Sequence, residues 1–497
     1  MKKFTITVIS LFMVLLISLS AISEAIGTNS KYASNQDYIQ SENLALKDKS
    51  NKMTDGKDGT VYRFKTRNGG EAVIDLGESC DFNCVILKEK GLNVQKFTIS
   101  VSDDNENFTQ IYANDKIEFH RLCTFDTVKA RYVKLTVEKS DNLPKIREME
   151  IYNAVPEKKN DFRVSTYSTL GGSVFGIIDD TTLSDAEKDA KIKELIDADY
   201  YDTVTDYIDI GNVRWEEDGS ITITGWDGTE RDGDKYYAVM MRNLHEVLDE
   251  KGVNLIITIL NPSGENGNAR VMKSITENRD TLITNMIAFA NKYEFDGIDL
   301  DWEFPMSQDE FDAYNSFLQE LKARMKTEMW NKEDATLSLA LGTWALKYTP
   351  EAIECIDYVN VMGYDILDQD GQHSSFFSSC VQAADYIESR GFSKEQINIG
   401  FPFYGTWEGG RMEQYAYNAI SEEISPFNNF YTMKKSDTKE DRYTYFNSQA
   451  IIRDKTAYAY LKGYGGVMIF SQYCDLPSDD ERSLTKAISD YLQEVTK

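Results

Sequence analysis

The chain has 497 residues, of which 41% are hydrophobic and 12% aromatic, and it carries a formal net charge of -28. That is enough apolar material for two packed cores. So acidic a chain excludes nucleic acid and anionic membrane surfaces as partners, because both select basic patches, and leaves a neutral polymer such as a polysaccharide as a fitting one.

At the N-terminus Lys2 and Lys3 precede an uncharged apolar run from Phe4 to Ile22, and Ser23-Glu24-Ala25 ends in a small residue. This predicts a signal peptide over residues 1–25 and a secreted, extracellular chain; an uncut segment would instead hold it at a membrane. The six cysteines and three histidines show no zinc spacing, and no disulfide pairing can be read from them. Residues 27–156 read as an all-β sandwich, with short strands between turn residues: Ala72 to Leu76, Asn83 to Lys88, Gln95 to Ser102, Ala130 to Val137 and Ile146 to Tyr152. The polar stretch 157–160 marks a linker.

From residue 161 to 497 strand-like runs alternate with segments of helical period. The strands are Phe162 to Thr166, Thr203 to Ile210, Asn254 to Leu260, Gly297 to Trp302, Thr336 to Gly342, Tyr358 to Tyr364, Gln396 to Phe403 and Gly466 to Ser471. The helices include Ser184 to Ala198, Tyr236 to Lys251, Asn268 to Tyr293, Gln308 to Lys326, Phe376 to Arg390, Ser448 to Leu461 and Asp479 to Val495. About eight βα repeats make a TIM (β/α)8 barrel, with active groups expected at the C-terminal ends of its strands. The predicted fold class is therefore an α/β TIM barrel behind an N-terminal all-β jelly-roll sandwich.

The fourth strand carries Asp296-Gly297-Ile298-Asp299-Leu300-Asp301-Trp302-Glu303-Phe304-Pro305. Side chains alternate along a strand, so Asp299, Asp301 and Glu303 share one face while Ile298, Leu300 and Trp302 take the other. Same-face neighbours lie roughly 6.5 to 7 Å apart, close enough for each charge to hinder the next ionisation. One acid is expected to stay protonated near neutral pH, which sets a general acid beside a fixed negative charge, as glycosidic bond cleavage requires. A solvated edge strand would not carry so apolar an opposite face. A calcium or magnesium site would need more oxygen ligands than a one-sided strand supplies.

Asp296, Asp299, Asp301 and Glu303 together match the Asp-x-x-Asp-x-Asp-x-Glu signature, and this stretch resembles the family 18 glycoside hydrolases, with Trp302 and Pro305 similar to its chitinase branch. The resemblance extends to Met362-Gly363-Tyr364-Asp365 and Gly400-Phe401-Pro402-Phe403-Tyr404-Gly405-Thr406-Trp407. It implies catalytic roles for Glu303, Asp301, Asp299 and Tyr364, substrate contacts at Met362, Asp365, Tyr404, Trp407 and Phe470, and a structural role for Asp296. Two positions depart from the family pattern. The third strand has Thr258-Ile259-Leu260-Asn261 in place of Ser-x-Gly-Gly, and Phe470 stands where a tryptophan usually floors the cleavage subsite. The 408–447 segment is shorter than the domain inserted in processive chitinases, which implies an open cleft.

The N-terminal unit resembles discoidin-like modules, the coagulation factor type C fold that includes family 32 carbohydrate-binding modules. The likeness rests on Asn43-Leu44-Ala45-Leu46, Asp55-Gly56, Val73-Ile74-Asp75-Leu76-Gly77, Ser102-Asp103-Asp104, Ala130-Arg131-Tyr132-Val133-Lys134-Leu135 and Arg147-Glu148-Met149-Glu150. It implies a structural calcium near Asp55, Asp58, Thr60 and Glu148, set against the simpler reading of acids in a solvated turn. Catalysis itself calls for no cofactor. The expected function is substrate-assisted retaining hydrolysis of β-1,4 N-acetylglucosamine linkages in chitin or chitooligosaccharides. The alternatives are an endo-β-N-acetylglucosaminidase acting on N-glycans, a peptidoglycan hydrolase, and a chitinase-like lectin without catalysis.

Overall fold

In a computed structural model, the structure describes residues 39–48, 51–57, 59–196, 198–225, 228–262, 266–366, 377–407, 410–420, 425–427, 429–434 and 441–496. The predicted signal segment, residues 1–25, lies outside the described residues, as does Asp58.

The N-terminal unit is one antiparallel sheet of six strands: Tyr62–Arg63, Gly70–Glu89, Val94–Ser102, Thr109–Asn114, Arg121–Ser140 and Lys145–Tyr152. The two 20-residue strands pair with each other but break register between Asp75 and Cys80 and again between Phe82 and Cys84. Gly77, at φ +81°, supplies a backbone conformation that other residues rarely adopt at the first break. The sheet therefore folds over on itself. One half carries Val94–Ser102 and the other Lys145–Tyr152, and they close on a shared core that includes Ile74, Phe97, Ile99 and Leu135 with Val85, Leu87, Met149 and Ile151. The predicted stretches Ala72 to Leu76 and Asn83 to Lys88 are thus two halves of a single bent strand.

The second unit is a closed barrel of eight parallel strands: Arg163–Ser168, Asp206–Asp209, Asn254–Leu260, Gly297–Asp301, Thr336–Leu341, Tyr358–Val361, Ile397–Pro402 and Gly466–Phe470. The ring shuts where the eighth strand pairs with the first and the second with the third. All eight coincide with the predicted strands to within a few residues. Alternation sorts their side chains: Ile257, Ile298, Leu300 and Val359 join the outer core under the helices, whereas Tyr167, Ile208, Ile256, Tyr358 and Met468 fill the barrel.

Some elements differ from the sequence reading. The single predicted helix Asn268 to Tyr293 is two helices, Gly267–Thr276 and Arg279–Lys292. Asn278 leaves helical geometry between them, and its side-chain amide donates to the Glu217 carbonyl, across the fold, at 2.8 Å. A hairpin of Val213–Trp215 and Ile221–Ile223 extends the sheet beyond the second barrel strand. Between the seventh and eighth strands, Tyr404–Trp407, Gly410–Ala416, Phe430–Lys434 and Asp441–Tyr445 form a separate antiparallel sheet. No helix of the described residues is long and apolar enough to cross a membrane.

The two units share a buried seam. Ile86, Leu122, Tyr152 and Ala154 of the sandwich belong to the same continuous core as the barrel. Asp454, on the helix Gln449–Lys462, is fully buried and accepts from the Tyr112 hydroxyl at 2.6 Å, from the Thr124 N–H and hydroxyl at 2.8 Å each, and from Arg121 at 3.2 Å. Glu118 accepts from Phe377 and Ser378 of the barrel. Even the connecting stretch is packed, since the Lys159 N–H donates to the Tyr460 hydroxyl at 2.7 Å.

Candidate active site

Glycine at 297 starts the fourth strand where any larger residue would collide with its neighbour: an added Cβ would meet the Thr336 carbonyl at 2.6 Å. The strand then runs fully buried to Asp301. Asp296, just before it, accepts from the Leu255 N–H at 2.8 Å and ties the strand to the third. Asp299 points into the barrel, completely buried, and its carboxylate accepts from three hydroxyls: Ser338 at 2.6 Å, Thr258 at 2.9 Å and Tyr167 at 3.0 Å. Burial pushes its carboxyl up and the three donors pull it back.

Asp301 is 6% exposed, and its Oδ1 is buried with no hydrogen-bond partner. Burial first, then the charges of Glu303 and Asp299, push its carboxyl well above the usual carboxylate range, while Arg214 pulls the other way. Glu303 emerges from the strand and stays accessible to solvent at the mouth. The crowding around its carboxyl and the charge of Asp365 raise it as well. The site therefore has two carboxyls, one buried and one accessible, that resist losing their protons together.

Aromatic rings line the mouth beside them. Phe470, at the end of the eighth strand, stacks on Tyr364 with centroids 5.8 Å apart and meets Tyr404 at 6.3 Å and Tyr167 at 5.9 Å edge-on. Asp365 takes a left-handed backbone, φ +57°, and accepts from the Tyr404 hydroxyl at 2.9 Å. Met362, two residues before Tyr364, is partly buried. Trp302 faces away, 3% exposed, with its indole donating to Asn268 at 3.1 Å. The structure thus gathers Asp299, Asp301, Glu303, Tyr364, Asp365, Tyr404 and Phe470 at one end of the barrel. The Trp407 side chain lies outside what is described.

The family model for glycosyl hydrolases family 18 matches residues 264–475, and that for the F5/8 type C domain matches residues 31–150. Residues 264–475 are a family 18 domain, and an F5/8 type C domain precedes them. Over 104 residues, 18% of this chain and 9% of the relative, the sequence is 38% identical to the killer toxin subunits alpha/beta of Kluyveromyces lactis. Over 177 residues, 31% of this chain and 46% of the relative, it is 27% identical to a class V chitinase of Arabidopsis thaliana. These matches span less than half the length of either relative. Among solved structures, a class V chitinase from tobacco (Nicotiana tobaccum) superposes with a TM-score of 0.50 at 16% identity, over 66% of this chain and 98% of that one, a likeness of fold.

Within the barrel, the sequence reading passed over several groups that set the site's electrostatics. The Tyr167 hydroxyl that donates to Asp299 itself accepts from Asn360, which accepts from Asn398, so a polar thread crosses the barrel interior. The signal was present as single polar residues, Thr258, Ser338, Asn360 and Asn398, inside otherwise apolar strands. Arg214 came from the unpredicted hairpin. Trp344, after the fifth strand, packs edge-on against Phe304 at 4.5 Å next to Glu303.

In the F5/8 type C domain, Asp55 and Glu148 lie where a calcium was expected. Both Asp55 oxygens accept from the Thr60 hydroxyl at 2.8 and 2.9 Å, and Glu148 accepts from the N–H groups of Gly56 and Lys57. Among the described residues no group of three or more His, Cys, Asp or Glu could hold a metal ion. The Asp55 and Glu148 carboxylates are thus engaged by local donors, and Asp58, the other acid expected there, lies outside the described residues.

Proposed function

We propose that this chain hydrolyses β-1,4-linked N-acetylglucosamine polymers, chitin or chitooligosaccharides, with retention and with the substrate's own acetamido group as nucleophile. The observation that carries the reading is the pairing of an accessible Glu303 with a buried Asp301 whose carboxyl is pushed up and whose Oδ1 has no partner. Asp301 Oδ1, buried and without a protein partner, fits an acceptor for the acetamido N–H, which suits the substrate-assisted scheme in which the substrate's own acetamido oxygen attacks.

Glu303 gives its proton to the glycosidic oxygen as the bond from that oxygen to the anomeric carbon breaks. The acetamido oxygen closes on the anomeric carbon to form an oxazolinium-like ring, and Asp301 orients the acetamido N–H and balances the developing positive charge. Asp299, fixed by its three hydroxyl donors, is the neighbour with which Asp301 shares a proton. Tyr364 holds the acetamido group, and Phe470 gives the sugar ring an aromatic floor. Water then attacks the anomeric carbon, gives its proton to Glu303 and opens the ring with the original configuration restored. No cofactor takes part.

Phe470 offers less area than an indole, which keeps N-glycan cleavage as the second reading. Incubation with chitotetraose and, in parallel, with a high-mannose glycopeptide decides between them. The expected result is β-configured short chitooligosaccharides from the first and an intact second. Release of the glycan alone would transfer the reading to an endo-β-N-acetylglucosaminidase; binding of chitotetraose without any cleavage would leave a lectin.

A further inference from the structure

We propose that Arg214 is a positioning residue for this reaction: held beside Asp301 by the neighbouring hairpin, its guanidinium keeps that carboxyl available as an anion for the substrate's acetamido group. The inference rests on the hydrolytic reading above.

The placement follows from register. Arg214 on Val213–Trp215 pairs with Leu260 on the third barrel strand, and Leu260 pairs with Asp301 on the fourth. Partners in register on parallel strands project from the same face of the sheet. Leu260 packs on the cluster that fills the barrel, so all three residues face the interior. Adjacent strands lie about 4.8 Å apart, which separates the Arg214 and Asp301 backbones by roughly 10 Å, a gap the long arginine stem bridges. The Arg214 guanidinium is also anchored, donating through Nη1 to the Asn261 carbonyl at 3.0 Å. Glu216 on the hairpin acts on Arg214 ahead of Asp301, and it is itself engaged by Arg270 at 2.5 Å.

The groups facing Asp301 come from several elements. Asp299 on its own strand and Glu303 after it are negative and oppose its ionisation. The phenols of Tyr167 from the first strand, Tyr364 from the sixth and Tyr314 from the helix Gln308–Glu328 are all pushed up by burial, and so stay uncharged at neutral pH. Among the described residues Arg214 is the cation that acts on Asp301. A half-buried positive charge held just beyond direct contact offsets part of the repulsion without neutralising Asp301 in an ion pair. Asp301 Oδ1, buried, is thereby left without a competing ion-pair partner.

Arg214→Met keeps the apolar stem and removes the charge; Arg214→Lys keeps the charge and changes the fork. In the unliganded full chain, the Asp301 carboxyl is followed by carbon-13 chemical shift against pH, with Asp301→Asn assigning the signal. Its titration should move to higher pH in Arg214→Met. The acidic limb of kcat/KM on chitotetraose should move with it by about half to one pH unit, cutting activity roughly threefold to tenfold on that limb, since an unscreened opposite charge shifts a carboxyl by more and this one is half-buried. Arg214→Lys should stay near wild type in both. A uniformly lower rate with unmoved titration and unmoved limb would overturn the proposal, as would Lys and Met variants that behave alike. A wild-type chain that cleaves neither glycan would overturn the hydrolytic reading instead, and the carboxyl titration would still decide the effect of Arg214.

Discussion

Glu303→Gln will lower kcat on chitooligosaccharides by roughly 10²- to 10⁴-fold, the usual contribution of a positioned general acid, while leaving the protein folded. Glutamine keeps the shape of the side chain and its hydrogen-bonding reach but has no proton to give the leaving oxygen and no basic oxygen to take one from water. KM should change little, because the rings of Tyr364, Tyr404 and Phe470 at the mouth are untouched. Stability gives an independent check. The Glu303 charge is one of the causes that raise the Asp301 carboxyl. A carboxyl raised by the fold contributes most to stability below its unfolded pKa and loses that contribution as pH rises toward the folded value. Removing the Glu303 charge relieves this loss, so Glu303→Gln should melt at or above the wild-type temperature at pH 7, with the difference closing toward pH 4. Near wild-type turnover in this variant would end the assignment of Glu303 as acid. A variant that melts well below wild type at pH 7 would show that the side chain supports the fold.

The barrel was legible because buried parallel strands make continuous apolar runs at βα spacing, and those runs recur along residues 161–497. Its acids were legible because a polar residue at every second position inside such a run has few explanations. Arg214 was not, because its hairpin is only three residues per strand and its polar flank, Glu216-Glu217-Asp218-Gly219, reads as a turn. Nothing local in Asn278 announces a helix break either; the break depends on the Glu217 carbonyl across the fold. The bent 20-residue strands of the sandwich looked like separate strands because Gly77 and its neighbours carry turn chemistry, which here serves a bulge. The seam between the units was invisible for a related reason. Glu118, Arg121 and Asp454 look like surface charges in sequence, and only tertiary packing brings them together and removes them from water.

That seam supports the second large expectation: Asp454→Ala will lower the unfolding free energy by about 3 to 5 kcal/mol at pH 7, the cost of leaving a buried charge without its partner. Arg121 is fully buried, and with Asp454 gone it keeps Glu118 at 3.7 Å as its remaining ion-pair partner while Tyr112 and Thr124 lose an acceptor. Burial raises the Asp454 carboxyl to about 6 even against the pull of Arg121 and its donors. By the sign of the linkage, Asp454 stabilises most below the ordinary carboxylate range and less as pH passes through about 6, so the gap between wild type and variant should widen toward pH 5. Because Ile86, Leu122 and Tyr152 belong to the same core as the barrel, the loss should reach both units, and each should unfold in one shared transition. Denaturant unfolding followed by amide hydrogen exchange in Val94–Ser102 of the sandwich and in Tyr358–Val361 of the barrel reads the two separately. A barrel transition that stays at its wild-type midpoint while the sandwich opens early would mean that the units are tethered neighbours. Coincident losses would mean that the sandwich is part of the barrel's own stability, so that the two units hold a fixed orientation to each other.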